Sequence, residues 1–290
     1  FNGQVAASNI AYVDEEIVVN PTYEQLDNSD FNLLVSGSKD GVVMIEAEGK
    51  EIDEDLMYKA IEKSQEVNIE IIDNLDSFIN KNGKENVEFN YDFNQSVYSE
   101  ISDSLKSQLK DVYKKDISKS DKENEIKEII NDFVESKEYE ENYDNEIDKL
   151  KADVFRSITL DDKLRVDGRK FDQIRDLSGA VDLIPKVHGS GLFTRGETQV
   201  LSLVTLGSSR DYQRLDTLTP LDEKRFMLHY NFPPYSVGEA RPLRSPGRRE
   251  IGHGQLAEKA IAQVLPDSDE FPYAIRIVSE VLQSNGSTSM

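Results

Sequence analysis

Tyr230–Gly254 reads YNFPPYSVGEARPLRSPGRREIGHG. The apolar run Arg225 to Phe232 leads into it as a strand, and Pro233-Pro234 stops that strand. Ala257, Ile261, Val264 and Leu265 recur on one face of a helix that the pattern starts near Glu250. Between strand and helix, Arg241, Arg244, Arg248 and Arg249 lie within nine positions on a loop kept irregular by Pro242, Pro246 and Gly247. Guanidinium groups offer paired donors that match phosphate oxygens. The helix that follows presents unpaired backbone N–H groups toward the same place, with His253 as a further donor in its first turn. Composition alone favours an ordinary solvated or inter-subunit arginine loop; a phosphate-holding loop is the sharper reading.

The charge of the surrounding chain makes that loop stand out. The 290 residues carry a formal net charge of −22. It is unevenly spread: −7 over residues 1–50, −15 over 51–150, and zero over 151–290. A polyanionic partner is repelled by the first two regions and tolerated by the third. There are no cysteines and three histidines, which excludes disulfides and thiolate metal sites and makes a zinc centre an unattractive reading. No Walker loop, GxGxxG fingerprint, HExxH or GxSxG elbow occurs. No run approaches the roughly 20 apolar residues that span a bilayer. The start at Phe1 and the end at Met290 in mid-pattern lead us to expect a piece of a longer protein.

Working back to the start, residues 1–49 read as β-rich. Ile17-Val18-Val19 is closed by Asn20-Pro21, and Phe31 to Val35 and Val42 to Ile45 flank a hairpin loop at Gly37 to Gly41. Glu51 to Ile79 reads as a long amphipathic helix with Glu51, Asp53, Glu54 and Asp55 in its first turn. Three further helical stripes follow. Val97, Ile101, Leu105 and Val112 mark the first; Ile126, Ile129, Ile130 and Phe133 the second; Ile147, Leu150 and Val154 the third. The charged stretches between them read as the solvated faces of a helical spacer. From Asp161 strands return, at Ala180 to Ile184, Gln199 to Val204, Arg225 to Phe232 and Tyr273 to Leu282. Several strands before one helix indicate an α+β fold. The last stretch, Ser284-Asn285-Gly286-Ser287-Thr288-Ser289, suits either an ordinary polar turn or a hydroxyl and amide nest for an oxyanion.

Four segments carry a resemblance. Phe193 to Gln199, Tyr230 to Glu239, Gly247 to Gly254 and Ser284 to Met290, together with Arg165 to Arg169, resemble the second RNase PH-type core of the bacterial polynucleotide phosphorylase family. Asn20-Pro21-Thr22 and the strands before it resemble the end of the first such core. The resemblance implies two partial RNase PH-type cores (ribosomal protein S5 domain 2-like) joined by an all-α linker, with boundaries at 1–85, 86–155 and 156–290. It implies a 3′-to-5′ phosphorolytic exoribonuclease, a polyribonucleotide nucleotidyltransferase that turns single-stranded RNA or mRNA and inorganic phosphate into nucleoside diphosphates, reversibly. Carried over by position, Ser287, Thr288 and Ser289 hold the attacking phosphate, and Arg248, Arg249 and His253 orient and neutralise the RNA phosphates as catalytic and RNA-binding residues. Thr288 stands where the family commonly has serine, which keeps the donor. Arg241 and Arg244 fall in a stretch that varies between members and receive no family role. Magnesium is expected as cofactor, its aspartate ligands beyond Met290, so the chain alone is expected to be inactive. A cytoplasmic homotrimeric ring, without membrane contact and within an RNA-degradation complex, is implied with it. The alternative is a catalytically inactive RNase PH-like ring subunit that binds RNA.

Overall fold

In the first strands, alternate residues are covered and the ones between them are not. Ile10 in β1 (Ala6–Val13) and Phe31, Leu33 and Val35 in β3 (Phe31–Ser38) are buried at 2% exposure or less. Period two is the signature of a sheet with one covered face. The computed structural model describes residues 3–84, 92–137, 143–165 and 167–284. β1 turns into β2 (Glu16–Val19) through Asp14 and Glu15, both at positive φ (52° and 65°), the backbone twist that suits a two-residue hairpin. A short α1 (Tyr23–Asp27), capped by Thr22, leads to β3, which pairs with β4 (Gly41–Gly49). The sheet is antiparallel in the order β2-β1-β3-β4. The hairpin loop expected at 37–41 is shorter than its Gly and Ser content suggested, because Gly37 and Ser38 pair with Val42 and Gly41.

The long helix is α2 (Glu54–Asn82). Asp53 caps it, accepting from the amides of Asp55 at 3.0 Å and Leu56 at 3.3 Å. Glu51 stands outside the helix at φ 50°, so the acidic first turn consists of Glu54 and Asp55. Ala60, Ser64, Asn68 and Ile72 form its buried stripe at four-residue steps. Two of these are polar and meet polar partners: Ser64 Oγ lies 2.6 Å from Ser8 Oγ, and Asn68 Nδ2 donates to Val35 O at 3.0 Å. Such bonds fix where along the sheet the helix sits, a register that apolar contact alone leaves loose.

The next three helices, α3 (Gln95–Lys114), α4 (Lys119–Lys137) and α5 (Asp144–Leu160), follow the stripes read from sequence. Ile101, Leu105, Leu109 and Val112 of α3 meet Ile126 and Ile130 of α4 and Ile147, Leu150, Val154 and Ile158 of α5 in one apolar core. Asn94 caps α3, and the buried Glu146 accepts the amide of Asn94 at 2.5 Å.

The second sheet takes β5 (Leu177–Val181), β6 (Gly189–Arg195), β7 (Thr198–Gly207), β10 (Phe226–Asn231) and β11 (Ala274–Gln283) in the order β10-β11-β7-β6-β5. A two-residue ladder, β8 (Gln213–Arg214) with β9 (Glu223–Lys224), stands apart from it. β10 and β11 are parallel, and the crossover between them carries α6 (Arg248–Ala262). Phe226, Leu228, Tyr230, Ile275 and Val281 pack with Ala257 and Ile261 of that helix. β6 occupies a Gly-rich run that the sequence left without an element: Gly189 to Arg195 pairs with both β5 and β7.

Contacts divide the chain into two compact units, residues 1–85 with 176–290, and residues 86–175. The boundary expected at 155/156 falls inside α5, whose Ile158 is fully buried in the helical core. The helical unit therefore extends to 175, and its last turn is tied by Asp167, which accepts from Arg169 at 2.8 Å and Arg175 at 3.2 Å. No helix among the described residues is long and apolar enough to cross a membrane.

Candidate functional site

Parallel strands joined by a helix bring three things to one edge: both strands' carboxyl ends and the helix N-terminus. β10, α6 and β11 make that arrangement. β10 ends at Asn231, and Pro233-Pro234 fold the chain into a single tight turn, Pro234–Val237, closed by Gly238 at φ 74°. The left-handed conformation is open to glycine without a Cβ penalty. Ser236 Oγ donates to Pro233 O at 2.7 Å, and the Ser284 amide donates to Ser236 O at 2.8 Å. The carboxyl end of β11 is thereby docked beside the turn that leads into the arginine loop.

A cleft of about 770 Å³ opens at this edge, lined among others by Asn231, Tyr235, Arg241, Arg244, Glu250 and Glu280. Asn231 and Glu280 are register partners on the parallel strands, and Asn231 Nδ2 donates to Glu280 Oε1 at 2.6 Å. Arg241 is paired with Glu239 at 3.2 Å.

Arg248 and Arg249 stand in the first turn of α6, since the helix starts at Arg248 with Gly247 as N-cap. The expectation that they lie on the loop is corrected by two residues. Both are exposed, and neither forms an ion pair or side-chain hydrogen bond among the described residues. The free N–H groups of the first turn lie beside them. Neither lines the cleft, whereas Arg241 and Arg244, which carried no family role, do. His253, one turn on from Arg249, is half-buried with its ring edge-on to Tyr230 at 5.5 Å between centroids. Burial, and after it the Arg249 guanidinium, holds the imidazole below its ordinary pKa. That shift favours the neutral imidazole, a hydrogen-bond donor beside the two arginines. Ser287, Thr288 and Ser289 lie outside the described residues.

Two expectations follow from that imidazole. Replacing Arg249 with Gln removes a neighbouring charge, so the His253 ring protons should titrate at higher pH, read by NMR. Because the folded value is depressed, the unfolded chain takes the proton first as pH falls. The stability linked to His253 is complete above the ordinary imidazole value and declines as pH drops from there through the folded value. A urea midpoint that falls between pH 8 and pH 5.5 less in His253→Gln than in the parent chain is the expected measurement.

Sequence reading missed Glu250 and the Asn231–Glu280 pair. Glu250 had a signal, an acid three residues past a candidate N-cap. Asn231 and Glu280 had none, being 49 residues apart and neighbours only through strand pairing. Among the described residues no group of three His, Asp or Glu could hold a metal ion.

Family models match three segments. The 3′ exoribonuclease family, domain 2, covers residues 3–67; the polyribonucleotide nucleotidyltransferase RNA binding domain covers 96–170; and the 3′ exoribonuclease family, domain 1, covers 173–290. The polyribonucleotide nucleotidyltransferase of Caldicellulosiruptor bescii is 44% identical over 294 residues, and that of Bacillus velezensis 43% identical over 296. Each alignment takes in 100% of this chain and 42% of the relative, so the chain spans about two fifths of the length of the curated relatives it matches. A solved chain of the Archaeoglobus fulgidus exosome with RNA bound to the active site reaches a TM-score of 0.37 at 21% identity, over 49% of this chain and 56% of that one, too slight a likeness to carry weight. A domain 2 match, a helical match and a domain 1 match in that order reproduce two partial RNase PH-type cores around a helical segment. With relatives of one name aligned along its whole length, the chain belongs to the polyribonucleotide nucleotidyltransferase family.

Proposed function

We propose that the chain forms the RNA-phosphate face of a 3′-to-5′ phosphorolytic exoribonuclease acting on single-stranded RNA. The observation that carries this reading is the pair of uncompensated guanidinium groups, Arg248 and Arg249, on the first turn of α6. They stand where a helix N-terminus and the carboxyl ends of two parallel strands meet, in a chain of net charge −22. In phosphorolysis an oxygen of inorganic phosphate attacks the phosphorus of the last phosphodiester. The P–O3′ bond breaks, the shortened RNA keeps its 3′ oxygen and gains a proton, and the terminal nucleotide leaves as a nucleoside diphosphate.

Two anions must approach each other for this to occur, and fixed cations aimed at both are the largest help a protein can give. In this reading Arg248 and Arg249 hold the RNA phosphate by charge-assisted hydrogen bonds, His253 adds a neutral donor, and Ser287, Thr288 and Ser289 hold the attacking phosphate. Magnesium would lower the repulsion further, held by ligands that are proposed to lie outside the described residues. A homotrimeric ring in the cytoplasm, with an RNA-degradation complex as setting, belongs to the same reading.

The test uses end-labelled RNA with and without phosphate. A family-length protein that contains this chain should release nucleoside diphosphates only when phosphate is present, and residues 1–290 alone should bind RNA without release. Release of monophosphates in the absence of phosphate would indicate hydrolysis and sink the proposal.

A further inference from the structure

Among the described residues β10 is the outer strand of its sheet, so the amides on its free side have no strand to pair with there. α6 provides acceptors in place of a strand. Glu258 Oε2 accepts from the Leu228 amide at 3.1 Å, and Glu250 Oε1 accepts from the Phe232 amide at 2.9 Å. The spacing works because eight residues of helix and four of strand cover nearly the same distance, about 12 and about 13 Å. Midway, buried Gly254 lies against the strand, where an added Cβ would stand 3.5 Å from both Leu228 O and Tyr230 Cβ. The helix is thus pinned to the sheet edge by two carboxylates with a close approach between them.

Glu250 does more than Glu258. Its second oxygen, Oε2, accepts from the amide of Gly247 at 2.7 Å. Gly247 is the N-cap and has no side chain with which to cap the helix itself. One carboxylate therefore ties the end of β10 to the start of α6, directly beside Arg248 and Arg249. Glu258 is engaged otherwise, by an ion pair with Lys224, two turns further along the helix.

We propose that Glu250 is a positioning residue of the RNA-phosphate site, holding the first turn of α6, and with it Arg248 and Arg249, at the carboxyl end of β10. The inference rests on the reading of those arginines given above. Glu250→Ala frees the first turn while the rest of α6 stays pinned through Glu258 and the apolar core. Glu250→Gln keeps an amide oxygen that accepts from one of the two amides.

The experiment measures binding of a labelled single-stranded oligoadenylate to residues 1–290 by fluorescence anisotropy, thermal midpoints, and the His253 titration by NMR. Glu250→Ala should weaken RNA binding about tenfold, the loss of a pair of charge-assisted hydrogen bonds acting through position. It should also move the His253 midpoint toward the ordinary imidazole value as Arg249 leaves its neighbourhood. Glu250→Gln should recover most of the affinity. Glu258→Ala should lower the thermal midpoint and leave RNA binding within about twofold, because the arginines remain held. Unchanged RNA binding in Glu250→Ala, or an equal loss in Glu258→Ala, overturns the positioning role. Should Arg248→Ala with Arg249→Ala bind RNA as the parent does, the proposed function fails; the His253 midpoint in Glu250→Ala then still decides whether Glu250 positions Arg249.

Discussion

Replacing Arg248 and Arg249 together with alanine is expected to weaken single-stranded RNA binding by about one to two orders of magnitude. Both guanidinium groups are exposed and lack ion pairs among the described residues, so their full charge faces the solvent side of the α6 N-terminus. Each phosphate neutralised on a single strand adds about 0.7 to the slope of log affinity against log salt. Losing both contacts should therefore flatten that slope by about 1.4. The salt series separates this outcome from simple unfolding, which abolishes binding at every ionic strength. Arg241→Ala is the informative companion: it is already paired with Glu239, and its removal should cost less affinity than either member of the exposed pair. Equal binding by the parent and the double variant across the salt series would remove the basis of the RNA-phosphate reading.

The second large effect concerns stability. Leu109→Ala is expected to destabilise the helical unit by about 2–5 kcal/mol. Leu109 is fully buried in the core that α3 shares with α4 and α5. Truncation removes apolar area and leaves a void whose walls lose their dispersion contacts. A loss of that size is a large part of the total stability of a small domain, about 5–15 kcal/mol. Ser107→Ala, on the exposed face of the same helix, should change stability by less than about 0.5 kcal/mol. Urea unfolding followed by circular dichroism compares the two. Similar midpoints for both variants would mean that the apolar stripe of α3 does not hold this unit together.

Much of the fold was legible because it depends on local periodicity. The stripes Ile101–Leu105–Val112 and Ile147–Leu150–Val154 recur at helical spacing, and the same side chains form the observed core. α2, β10 and β11 were read within a few residues of their ends for the same reason. The limits of the helical unit were less legible. Ile158 continues the α5 stripe one step beyond Val154, past the boundary read at 155, and nothing in the periodicity says that Asp167 ties the following turn through Arg169 and Arg175. β6 was obscured by Gly189 and Gly191, weak strand formers whose place is decided by the two strands on either side.

The same division runs through the candidate site. Two adjacent arginines near the start of an amphipathic helix, after a proline-stopped strand, were legible from the chain, and its motifs pointed to the family. Residue type and spacing along the chain are enough for that. The parallel pairing of β10 with β11 came from the fold alone, and it brings Asn231 beside Glu280 and docks Ser284 on Ser236 at the mouth of the arginine loop. The fold also decided that Glu250 faces inward to the amides of Phe232 and Gly247 while Arg248 and Arg249 face outward, and that His253 is shielded against Tyr230. These are consequences of strand order and of helix rotation about its own axis. Both are set by which distant residues pack together, and the spacing of residues along the chain carries no record of that packing.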